Sequence, residues 1–266
     1  MSKKVITRTA IILLWAVSTC WACSCTESLT GCQPEETDAN SVETILEQLR
    51  QKTAKLKSYQ GRVEYKFIQP LLESEALRKG VLYYARFGKK SALRINFETL
   101  KQDDEKDQKY IEHYIFDGTW LTQINYQIKT VRRYQVAEPN KPMDAFEAAS
   151  KNLPIIGFTR IDDLKKQFDV KLVEQKKNTP QNFVQLHLIV KPNSIYKDDY
   201  TSIDFWIDKE LGLPAKVVAV STEEDIYEIR FLKPKLNKEI NKDVFEYKIP
   251  KGFGEPEIIP LKKKGK

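Results

Sequence analysis

After Cys32 the chain, 266 residues long, contains no cysteine. Cys20, Cys23, Cys25 and Cys32 crowd the N-terminus, so the body of the protein cannot carry an internal disulfide. Histidine is almost as scarce, with His113 and His187 the only two. A zinc centre needs three or four ligands, and neither histidine has another His or Cys at ligand spacing, so no metal is expected. The same shortage removes Cys–His pairs, no G-x-S-x-G turn is present, and no glycine-rich loop offers a phosphate cradle. The expectation is a protein without catalytic residues or cofactors, and not an enzyme. No apolar run approaches the ~20 residues needed to cross a bilayer as a helix. Neither sign of charge dominates: 44 Lys and Arg stand against 37 Asp and Glu, a net charge of +7. The charges are interspersed except at Lys262–Lys264 and Lys266, and no basic helix or nucleic-acid motif appears, so nucleic acid is not an expected partner. Asp103–Glu105 and Glu223–Asp225 are acidic but irregularly spaced for calcium, and read as exposed turns.

The N-terminus has a recognisable plan. Lys3, Lys4 and Arg8 precede an apolar stretch, Ala10–Val17, that is too short to span a membrane and fits the core of a secretory signal. Leu29-Thr-Gly-Cys32 resembles the lipobox of bacterial lipoproteins, in which the signal is cut before a cysteine that is then acylated. On that reading residues 1–31 are a signal peptide with lipobox, Cys32 is the lipid anchor and 32–40 a polar tether. Cys20, Cys23 and Cys25 remain alternative junctions. Residues 254–266 read as a basic tail.

Between them, residues 41–253 show no shift in composition and are read as one domain. Ser41 or Asn40 caps a helix whose face carries Val42, Ile45, Leu46, Leu49 and Leu56, running to about Lys57. Strict alternation follows. Val63, Tyr65 and Phe67 mark one strand, Leu93, Ile95 and Phe97 another, and Ile203, Phe205 and Ile207 a later one. Residues 110–126 form the clearest hairpin, with Asp117-Gly118 supplying the two positive φ angles of a type I′ turn. Prolines at 139, 142 and 154 break the pattern, and short helices are expected over 142–151 and 160–168. The sum is mainly β (α+β): about eleven strands, which must curl or close, giving a curved antiparallel half-barrel with helices over its concave face.

Two sets of residues are candidates for a site. Leu93, Ile95, Phe97, Tyr114, Phe116, Trp120, Ile203 and Phe205 are candidates for the wall of an apolar cavity, because such a cavity stays dry and accepts apolar guests. Leu153, Ile155, Ile156 and Phe158 are apolar residues in a loop that should otherwise be polar, and are candidates for a lid.

Several motifs occur in an order that resembles the outer-membrane lipoprotein carrier family (LolA/LolB-like). They are residues 58–65, 80–86, 93–95, 116–121, Phe205-Trp-Ile-Asp208 with Gly212-Leu-Pro214, and 245–252, behind a helix at 42–57. The resemblance implies an eleven-stranded half-barrel that holds the acyl chains of lipoproteins or lipids. It further implies a lid latched by an arginine, matched here by Arg86, although Phe87 stands where the family pattern has proline. With the lipobox, it implies an exported, periplasmic monomer anchored to the outer membrane through its N-terminal lipid and aiding transport or outer-membrane localisation of acylated molecules. The alternative is an anchored sensor or protein-interaction module on the same fold.

Overall fold

The computed structural model describes residues 41–88, 90–145, 161–174 and 182–261. The chain enters through helix α1 (Val42–Lys55). Ser41 is its N-cap, with the hydroxyl oxygen accepting from the Thr44 amide at 3.2 Å. Glu43 sits in the first turn and Lys52 and Lys55 in the last, each sign placed to complement the helix dipole. Ile45 and Leu46 are buried on its inner face.

Twelve strands follow in a single sheet. They are β1 (Ser58–Gln69), β2 (Ser74–Phe87), β3 (Lys90–Gln102), β4 (Gln108–Phe116), β5 (Trp120–Asn125), β6 (Thr130–Gln135), β7 (Phe168–Val173), β8 (Phe183–Val190), β9 (Tyr200–Asp208), β10 (Leu213–Ser221), β11 (Ile226–Leu236) and β12 (Glu257–Ile259). Helix α2 (Ile161–Gln167) runs straight into β7. The spatial order is β12-β6-β5-β4-β3-β2-β1-β11-β10-β9-β8-β7. All pairings are antiparallel except β12 with β6. The result is an open, curved, mainly β half-barrel, as the alternation predicts, with one more strand than expected.

The extra strand lies in the expected basic tail. Glu257–Ile259 pairs with Arg132–Tyr134, so the ordered domain does not stop at 253. The hairpin turn also differs from expectation. The Asp117 amide donates to the Trp120 carbonyl, which makes Gly118-Thr119 the central pair. Gly118 has φ +99° while Asp117 has none of the positive φ that a type I′ turn requires. The Asp117 carboxylate instead accepts from the amides of Thr119 and Trp120, at 2.9 and 2.8 Å.

The two faces are filled differently. Inner-face side chains from β1 to β4 and β7 to β11 converge with α1 and α2 into one cluster, including Leu46, Val63, Tyr84, Phe116, Leu164, Phe168, Leu186, Ile203 and Val217. Residues on distant strands can meet this way only on the concave side of a curled sheet. Where β2 meets β3, Gly80 permits the close approach: a Cβ there would lie 1.9 Å from the Asn96 carbonyl oxygen. The outer face of β2–β6 is covered by residues 240–253, which pack as two smaller groups around Phe245 and around Ile115, Ile124 and Val131. The Arg133 guanidinium lies between the Trp120 and Tyr247 rings, 4.8 and 4.9 Å from their centres. Residues 246–253 form this irregular strap after a short 3-10 turn (Lys242–Phe245).

Candidate binding site on the inner face

Between β6 and β7 the chain passes from one side of the sheet to the other. Strand β6 lies next to one edge of the sheet and β7 forms the other edge, so the chain leaves one side and re-enters at the far one. The described parts of that passage, Met143, Ala145 and Leu164, all pack into the inner cluster. Its root is held by specific bonds. The Met143 amide donates to the Gly118 carbonyl at 2.8 Å. Buried Ser91 accepts from the Ala145 amide and donates to the Asp144 carboxylate, both at 2.7 Å.

Seven of the eight expected wall residues share this face. Leu93, Ile95 and Phe97 line β3, Tyr114 and Phe116 line β4, and Ile203 and Phe205 line β9. Trp120 is the exception. Phe116 pairs with Leu121, so Leu121 faces inward and Trp120 faces outward, against Arg133. Arg86 ties the helix to the sheet. Its guanidinium donates to the Ala54 carbonyl near the C-terminus of α1 at 2.8 Å, and its amide donates to the Lys57 carbonyl. A second nitrogen lies 4.0 Å from the Asp144 carboxylate, at the root of the crossing segment. Lys165 on α2 meets Glu43 on α1 at 2.5 Å. The expected lid residues Leu153, Ile155, Ile156 and Phe158, the lid helix beyond Ala145 and the anchor Cys32 lie outside the described residues.

One end of the wall is aromatic. Tyr65 meets Phe97 at 6.3 Å between ring centres, and Phe97 meets Tyr114 at 6.2 Å. Phe67 stacks on Tyr227 at 5.0 Å, and Tyr227 meets Tyr200 at 6.3 Å. Burial pushes the Tyr65 hydroxyl up to about 12 and raises those of Tyr114 and Tyr200 as well, so all three stay neutral at any physiological pH.

Sequence reasoning passes over a polar group beside this aromatic end. Glu112 pairs across the sheet with Phe97, and its side chain is 3% exposed. Its Oε1 accepts from the Gln123 amide at 2.8 Å and more weakly from Asn125 at 3.5 Å. Those amides also donate to the hydroxyls of Tyr114 and Tyr110, each at 3.2 Å. Arg78 approaches Oε2 at 3.4 Å and covers the Tyr110 ring at 5.3 Å. The signal available in the sequence is phase: Tyr110, Glu112, Tyr114 and Phe116 alternate on one face. The site therefore has an apolar and aromatic wall with a small, dense polar group set into it. Among the described residues no group of three or more His, Cys, Asp or Glu is placed to hold a metal, and no helix is long and apolar enough to cross a membrane.

No protein-family profile matches the chain, and no curated protein does. Solved structures do. An uncharacterized conserved protein from Thermus thermophilus is 12% identical, with a TM-score of 0.46, over 82% of this chain and 98% of that one. A LolA superfamily protein from Nitrosomonas europaea is 13% identical, with a TM-score of 0.34, over 77% and 97%. A chain of the Pseudomonas aeruginosa MucA/MucB complex is 15% identical, with a TM-score of 0.41. That last match covers 77% of this chain but only 60% of the other, so the present chain spans about three fifths of it.

Proposed function

We propose that the inner face holds the acyl chains of lipids or lipoproteins, and that the protein aids their transport within the cell envelope without catalysing a reaction. The observation that carries this is the single apolar cluster on the concave side, roofed by α1 and α2, which a set of polar bonds ties to the sheet and to each other. Among the described residues those ties include Arg86 to Ala54, with the Lys165–Glu43 pair joining the two helices. Displacing α1 and α2 would exchange their apolar faces for methylenes, each worth ~0.8 kcal/mol on burial. Such an exchange is near-neutral chemistry, which suits a carrier that must also release its cargo.

The apolar Ala10–Val17 stretch and Leu29-Thr-Gly-Cys32 support export, with Cys32 as the acylated anchor and residues 32–40 as the tether to an outer membrane. The protein would act as a monomer, because binding needs only one sheet and its own helices. Native mass spectrometry of protein purified from envelope extracts tests the reading. Bound acyl-bearing molecules are expected as adducts released by lipid extraction, alongside a mass shift at the N-terminal cysteine. A protein that carries no extractable lipid under any gentle preparation refutes it.

A second reading, an anchored interaction module, is favoured by one feature. The turn joining β1 to β2, Pro70–Leu72, exposes Leu71 and Leu72 at 77% and 67%. Capture of a protein partner that is lost when both leucines become serine, with an inner face free of lipid, would select this reading.

A further inference from the structure

One carboxylate oxygen sits where a plain hydrocarbon guest has no use for it. Glu112 lies in the wall between Phe97 on β3 and Asn125 on β5, at 2% exposure for the whole residue. A carboxylate accepts up to about four hydrogen bonds. Here Oε1 takes the Gln123 and Asn125 amides, the Tyr110 and Tyr114 hydroxyls lie close to the carboxylate, and Oε2 itself is buried with no hydrogen bond of good geometry. Arg78 stands 3.4 Å from it, well beyond the ~2.7–2.9 Å of a charge-assisted bond. A buried acceptor left unmatched is costly, and native structures keep few of them without a reason such as a bound water, ion or ligand.

The surroundings narrow the chemistry. The Arg78 guanidinium already lies 3.4 Å from the carboxylate, which disfavours a second full cation. Tyr65, Phe97 and Tyr114 supply aromatic surface beside it, fitted to methylenes rather than to a bare ion. Arg78 is itself 30% exposed, so the polar group has a route to solvent.

We infer that Glu112 Oε2 receives a neutral hydrogen-bond donor lying next to the carbonyl of an acyl chain, with the first methylenes of that chain against Tyr65, Phe97 and Tyr114. The inference rests on the acyl-chain reading above and sharpens it: the head of the cargo is recognised as well as its tail. The donor has two sources, the N–H of an amide-linked chain or the O–H of a glyceride. Gln123 and Asn125 act as positioning residues that hold the Glu112 carboxylate through Oε1.

The test compares three ligands of equal chain length by isothermal titration, each below its micelle concentration: lauroyl-glycinamide, glycerol monolaurate and methyl laurate. At least one donor-bearing ligand is expected to bind about tenfold more tightly than methyl laurate. Whichever of the two does so names the source. Glu112→Leu is expected to bring the preference within about twofold. Should that variant not fold, Glu112→Gln, which keeps partners for the two amides, is expected to lower the preference about threefold, since bonds to charged acceptors are about twice as strong as neutral ones. Arg78→Gln leaves Glu112 in place and is expected to retain the preference. Equal binding of all three ligands to the native protein, or a preference that survives both Glu112 variants, overturns the inference while the acyl-chain reading stands. Failure of every ligand to bind overturns both.

Discussion

Mild acid is expected to loosen this protein through one histidine on the outer face of the sheet. His113 on β4 lies beneath the strap, with the Arg94 guanidinium 3.3 Å from its Nδ1 and the Tyr126 ring edge-on at 5.0 Å. Arg94 is fixed there by the Asn96 side chain and the Val244 carbonyl, at 2.7 and 2.8 Å. Burial, and then the adjacent guanidinium, push the imidazole down from 6.5 to about 4. The neutral ring is thus the folded form, whereas the unfolded chain takes up a proton below about pH 6.5. Stability is accordingly complete above about pH 6.5, falls as the pH drops toward 4, and loses nothing further from this group below that. A shift of this size corresponds to a ceiling of ~3.4 kcal/mol at ~1.36 kcal/mol per unit. Solvent reaches part of the ring and screens it, so a loss of ~1–2 kcal/mol is the working figure. Urea unfolding at about pH 7 and about pH 5 reads the effect, with His113→Gln as the control. The substituted protein should lose ~1 kcal/mol less over that interval than the native one. Matching losses in the two proteins would show that Arg94 and the strap do not hold His113 neutral.

Two further outcomes follow from close contacts. Gly80→Ala places a methyl group against the Asn96 carbonyl at the β2–β3 irregularity, and should lower stability by ~3 kcal/mol or more in urea, or prevent folding. Arg86→Ala removes the bond to the Ala54 carbonyl, and should cost ~1–2 kcal/mol while speeding amide exchange within residues 42–55 more than in β9 and β10; uniform exchange would deny Arg86 any role in seating the helix.

Much of the fold is legible in the sequence because its elements repeat simple periods. Helix α1 declares itself by Ser41 and the Val42, Ile45, Leu46, Leu49 stripe. Strands β3 and β9 do so by strict alternation, which also places Leu93, Ile95, Phe97, Ile203 and Phe205 on one face. The turn at Gly118 explains the misplaced Trp120. Counting even residues straight through a hairpin ignores that Phe116 pairs with Leu121, which hands the inward phase to odd residues on β5. The strap was illegible for a different reason. It is held at isolated points by Phe245, Tyr247 and Phe253, and such contacts have no period. Strand β12 is three residues long and carries no alternation to read. Glu112 was in plain phase with Tyr114 and Phe116, yet a charge in an apolar series reads as the solvent side of a strand until Gln123 and Asn125 are brought beside it from the next one.

The pairing of β1 with β11 has a consequence for how the molecule is made. Tyr59 lies opposite Leu236 and Ile68 opposite Ile226, so the centre of the sheet joins segments from nearly opposite ends of the domain. Strands β1–β6 form a meander of neighbours, as do β7–β11, and each can assemble locally. Their union must await almost the whole polypeptide, and closing so long a loop costs entropy before any contact repays it. Until then a twelve-residue edge of β1 stands open. A chain made N-terminus first presents that edge to its neighbours for the longest time of any strand, which makes it the segment most open to pairing with another chain.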